Sequence, residues 1–175
     1  MALLKEIQQP EIDKPDLRNF LAVRKTRLDW IRCVAPQLGM DSQKLILHET
    51  LTNIVGDDDV FLWGRNFFDA DFAMRAKQEL LGHLDLEANT VEITPDMSHK
   101  IREVHNAVSQ LDWSQEDQFK KAVTVWKSMR DFFKNQMESD PYLKEIGGYY
   151  DSVSSELNVH WRIFLTGLSS YSNVT

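Results

Sequence analysis

A single cysteine, Cys33, stands in the whole chain, which excludes an intramolecular disulfide framework. The thiol lies in an apolar helical stretch beside Ile31 and Val34, and this usage fits a reducing compartment, so the expected location is cytoplasmic. Long hydrophobic runs are missing as well. No stretch approaches the roughly 18 apolar residues of a membrane span, and the opening MALLKEIQQPEIDKP carries acids where a signal peptide needs a longer apolar run. No membrane partner is expected. Basic charge is in deficit: the net charge of −7 argues against general nucleic-acid binding, which needs a surplus of Lys and Arg on some face. The chain also lacks G-x-S-x-G, P-loop, dinucleotide-binding and C-x-x-C patterns, so the common hydrolase, nucleotide and redox templates have no foothold. The period-2 alternation of half-buried strands is nearly absent, which leaves helices as the main structural material.

What is present is ordinary globular composition, 42% hydrophobic and 27% charged, with seven glycines and five prolines placed as punctuation. The 175 residues suffice for one compact domain with a core and are too few for two ordinary ones. The expected architecture is all-α, a single-domain multi-helix bundle over residues 1–175 with an ordered core at about 15–168. A first helix is predicted from Pro15, with Asp13 as its start signal, to Val34, burying Leu17, Phe20, Leu21, Leu28 and Ile31. Asp41 or Ser42 caps a second helix with Leu47, Leu51, Ile54 and Val55 on one face, ended by Gly56 in a left-handed stop. The aromatic segment VFLWGRNFF follows, then a helix containing FAMRAKQELL that stops at Gly82 before a turn region, LDLEANTVEI.

Thr94 and Pro95 open a helix striped by Met97, Ile101, Val104, Val108 and Leu111. Ser114 begins S-Q-E-D, a variant capping box, ahead of the longest apolar stripe: Phe119, Ala122, Val123, Trp126, Met129, Phe133 and Met137. That helix should form the centre of the core. Asp140 and Pro141 start a short helical turn broken by Gly147 and Gly148, and a closing helix carries Val153, Leu157, Trp161, Phe164, Leu165 and Leu168.

Several side chains bear on chemistry. In LILHETLTNIVGDDD, His48 and Glu49 precede three aspartates, yet a helical wheel puts Glu49 opposite Leu47, Leu51 and Ile54, facing solvent unless another layer covers it. His48 falls at the edge of the apolar sector. The aspartates read as a helix stop and start, since the alternating ligands of a calcium loop are absent. In the closing helix Glu156 and His160 are i, i+4 neighbours beside an apolar stripe; carboxylate and imidazole there would suit a transition metal or an acid/base pair, or a hydrogen-bonded core histidine. His105 borders the stripe of Val104 and Val108, while His83 and His99 are expected in exposed, polar settings. Arg18, Lys25 and Arg32 recur every seven residues as a basic stripe on the first helix, with Arg24 and Arg27 elsewhere on it; a solvated face explains them as well as a partner surface does. Trp63, Phe67, Phe68 and Phe72 exceed what one helix face buries, so an exposed remainder would mark a ligand pocket or partner surface.

In order and texture these segments resemble the heme-oxygenase-like helical superfamily, in particular its TenA-type thiaminase and PqqC-type members. PDLRNFLAVRKTRLDWIRCVAPQLG looks like the early helix with its L-x-x-F/Y-L entry. LILHETLTNIVGDDD is similar to the L-L-E-N-L-x-D-E-x-G helix end, with Glu49 at the first Glu, and QELLGHLDLEANTVEITP to the turn into the next helix. YYDSVSSELNVHWRIF resembles the closing helix, where iron-binding members carry H-x-x-x-D-x-x-H and this chain has Val153, Glu156 or Leu157, and His160. A nucleophilic cysteine of the later half is missing. The resemblance implies a small-molecule-binding protein, as an enzyme an iron-dependent oxidative one, with Glu49, Glu156 and His160 as ligands. The alternative is a non-enzymatic interaction or adaptor protein that presents the aromatics or the basic stripe to a protein partner or to a second copy of itself.

Overall fold

The computed structural model describes residues 14–18, 20–90 and 93–174, with the side chains of 87–90 and 168–174 excepted. Asp13 and Leu168, assigned above to a helix start and a helix face, lie outside the described residues or side chains. Helices α1 (Phe20–Val34), α2 (Ser42–Gly56), α3 (Asp58–Asn66), α4 (Ala70–Thr90), α5 (Pro95–Ser109), α6 (Glu116–Ser139) and α7 (Pro141–Val174) follow one another, with a 3-10 turn at Ala35–Leu38. No strand occurs among the described residues, so the fold is all-α.

The caps explain several boundaries. Asp41 accepts from the backbone amides of Gln43 and Lys44 and opens α2. Thr94 accepts from Met97 N at 3.2 Å, with Pro95 in the first turn where a missing N–H costs nothing. Gly39, at φ 74°, takes the left-handed conformation that ends the 3-10 turn. Elsewhere the boundaries differ from expectation. Asp16 accepts from Arg18 N, residues 14–17 belong to no regular element, and α1 starts at Phe20 instead of Pro15. Ser114 caps nothing; its amide and hydroxyl both go to Asp112, and α6 begins after Gln115.

Four glycines expected to end or break helices lie inside them or close them in helical geometry. Gly56 is the last residue of α2 and has no positive φ. Gly82 lies inside α4, where an added Cβ would stand 3.4 Å from Leu21 Cδ2. Gly147 and Gly148 do not break α7, because Leu143 and Ile146 are buried on one side of the pair and Tyr149 and Tyr150 pack on the other. Tertiary packing overrides the weak local preference. A Cβ at either position meets nothing within 4 Å. Gly147→Ala/Gly148→Ala is therefore expected to raise the free energy of unfolding by about 1–2 kcal/mol, the helix-propensity difference for two residues. Urea denaturation checks this; an unchanged or lower midpoint would mean that the glycines serve a bend.

α6 packs against α2, α3, α5 and α7, and its Phe119, Ala122, Val123, Trp126, Met129 and Phe133 are buried. It is the centre of the larger of two core clusters. Gly64 lets α3 lie directly on it, since a Cβ there would come 2.6 Å from Phe119 Cζ. The smaller cluster joins Leu28, Trp30 and Ile31 of α1, Leu45 and Ile46 of α2 and Leu157 of α7.

Candidate functional site

The aspartate run is split by the fold. Asp57 is buried, Asp58 pairs with Arg130 and Asp59 is exposed. Asp57 stands at the junction of α2 and α3, as helix punctuation would place it, but its side chain caps neither helix and instead anchors a buried polar network. Arg24 Nη2 stands 2.6 Å from Asp57 Oδ1, and His83 Nδ1 lies 3.3 Å from Asp57 Oδ2. Arg24 Nη1 is 2.8 Å from His83 Nε2 and also touches Nδ1. The imidazole thus stands between the Asp57 carboxylate and the Arg24 guanidinium, in contact with both. Phe20 covers the network, its ring 4.1 Å from the Arg24 guanidinium and edge-on to His83. Glu79 accepts from Leu21 N at the start of α1, where a carboxylate complements the helix dipole. The imidazole nitrogen that a hydrolase would turn towards a nucleophile faces a guanidinium here, so the arrangement locks α1, α2 and α4 together.

His83 was expected to be exposed and is fully buried. Its register was the available signal: it falls three residues after Leu80 and seven after Ala76, both buried. Arg24 and Arg27 point inward by the same register, four residues from Phe20 and from Ile31.

Glu49 does not face solvent, because α1 and α7 both cover α2. Its Oε1 takes Arg27 Nε at 3.2 Å, while Arg27 Nη2 donates to Asn158 Oδ1 at 3.1 Å. The Arg27 guanidinium lies 5.0 Å from the Trp161 ring and 5.5 Å from Trp30. His48 stacks on Tyr150 at 4.0 Å, and burial pushes its pKa below the ordinary histidine value. Glu156 is exposed and His160 half-buried, and they form no ion pair with each other. Among the described residues no three His, Cys, Asp or Glu side chains stand together as a metal-holding group. Glu49, Glu156 and His160 are thus not gathered into one such group. His105 faces Asp85, with Nε2 3.4 Å from the carboxylate.

The aromatic segment goes mainly into the core. Phe72 is fully buried and so is no part of an exposed partner surface, and Trp63, Phe67 and Phe68 are half-buried. Trp63 and Phe72 rings lie 4.5 Å apart under the Lys14 ammonium. A hollow of about 370 Å³ opens here between Leu17, Phe72, Lys14, Arg18 and Arg75. Its cations are largely matched already, Lys14 with Asp69 and Arg18 with Asp16. The seven-residue basic stripe is broken, since Arg18 precedes α1 and Arg32 pairs with Asp29 at 3.0 Å; Lys25 is exposed.

Among the described residues the exposed large apolar side chains are Val23, Leu62, Met74 and Tyr142, far apart in sequence, and three in the C-terminal half of α7. Val159, Ile163 and Leu165 are 44%, 50% and 49% exposed, while Trp161 and Phe164 of the same turns reach the smaller core cluster. A helix apolar on several sides is normally covered on them. The stripe of Val153, Leu157, Trp161, Phe164 and Leu165 predicts one inward face; Leu165 is instead exposed, and Val159 and Ile163, at i, i+4, add an outer apolar side. No helix among the described residues is long and apolar enough to cross a membrane. No protein-family model, curated protein or solved structure matches the chain.

Proposed function

We propose that this protein is a non-enzymatic helical interaction protein that engages a protein partner through the outer face of α7. The observation that carries this reading is the exposure of Val159 and Ile163, one turn apart on a helix whose opposite face is fixed in the core. The polar groups that could have served catalysis point the same way: Arg24, Asp57 and His83 pair with one another, and Glu49 is held by Arg27. The iron-dependent oxidative reading rests on the family resemblance alone. It requires Glu49 to leave Arg27, which would strand a buried guanidinium.

A photoreactive residue in place of Ile163, compared with one in place of the exposed Lys127 of α6, tests the surface in living cells. Position 163 is expected to cross-link to protein with high yield and position 127 not to. Equal or absent cross-linking at the two positions would remove α7 as the docking surface.

A further inference from the structure

The outer face of α7 carries its own complement. At 100° per residue, Ser152, Ser155, Glu156, Val159, Arg162 and Ile163 lie together opposite Leu157, and all six are exposed. Glu156 and Arg162 each stand three residues from Val159, one on either side. Neither forms an ion pair within the chain among the described residues. An antiparallel pairing of this helix with a second copy, with the two-fold axis at Val159, therefore sets Glu156 of each chain against Arg162 of the other. It also sets each Ile163 over the small Ser155 and brings the two Val159 side chains into contact. Charge, size and apolarity match under one symmetry operation, as an isologous interface requires. A different protein would have to supply that pattern independently.

We infer that the partner of the α7 face is a second copy of this chain, docked antiparallel about Val159; this rests on the reading of α7 as a protein-docking surface. The closest contacts are the small and apolar residues at 155, 159 and 163, and the two Glu156–Arg162 pairs set the register. Like charges at those positions oppose association, and exchanging both charges recreates the complement.

Sedimentation equilibrium of the full chain, with Glu156→Arg, Arg162→Glu and the double exchange, tests this. Both positions are exposed, so circular dichroism should be unchanged and any loss of dimer is a surface effect. The wild type is expected to dimerise, each single variant to raise the dissociation constant at least about tenfold, equivalent to about 1.4 kcal/mol, and the double exchange to return within about threefold of wild type. In a Cys33→Ser background, Val159→Cys should form an intermolecular disulfide in air and Leu165→Cys should not. A wild-type chain that stays monomeric at every concentration, or a double exchange no better than the single variants, overturns the inference. Site-163 cross-links to another protein with a monomeric chain would leave the docking surface intact and refute only the second copy as its occupant.

Discussion

Asp57→Ala is expected to destabilise the protein by about 3–5 kcal/mol, measured as the shift in urea unfolding at constant slope. The loss comes less from the attraction between Asp57 and Arg24 than from what remains: a guanidinium that is 16% exposed and an imidazole with no exposure, both deprived of their carboxylate. A companion variant separates these contributions. Arg24→Met/Asp57→Leu removes both charges and fills similar volume, so it should recover most of the loss. If Asp57→Ala lies within about 1 kcal/mol of wild type, the network is hydrated and does not fasten α1, α2 and α4.

Trp126→Ala is the second large effect, about 3–5 kcal/mol, because a fully buried indole at the centre of α6 leaves a cavity that its neighbours cannot fill. Phe61 packs against that ring at 5.1 Å, and Phe61 in turn touches Trp113 and Phe119. The Trp126 Nε1 is buried without a hydrogen-bond partner. Trp126→Phe should therefore cost much less than Trp126→Ala, since it removes an unsatisfied donor while keeping an aromatic ring in place. A midpoint for Trp126→Ala close to wild type would take this residue out of the core.

The helical class, the caps at Asp41 and Thr94 and the stripe of α6 were legible because each is a local pattern: a short polar side chain before a helix, or apolar residues at 3.6 spacing. What was not legible depends on a second layer. Glu49 turns inward because α1 and α7 close over α2, which a single-helix wheel does not contain. Gly147 and Gly148 stay helical because contacts on both sides outweigh about 1 kcal/mol per glycine. His83 looked like a surface residue, and Asp57 like helix punctuation alone, because the burial of a polar side chain is not readable until its partner, Arg24 on another helix, is known. The outer α7 face was visible as composition, but its being uncovered emerged only when the inward face was assigned.

The smaller core cluster has a consequence for how the chain is made. Arg27 and Asn158, which meet at its edge, are 131 residues apart, and Trp30 meets Trp161 across a similar separation. At about 5–20 residues per second of synthesis, the apolar side of α1 and α2 waits on the order of ten seconds for its cover to be translated. Leu28, Ile31, Leu45 and Ile46 are thus open to water, or to a holding chaperone, until α7 has been translated. A ribosome stalled before residue 157 should present a nascent chain that such a chaperone retains, and release should coincide with the emergence of α7.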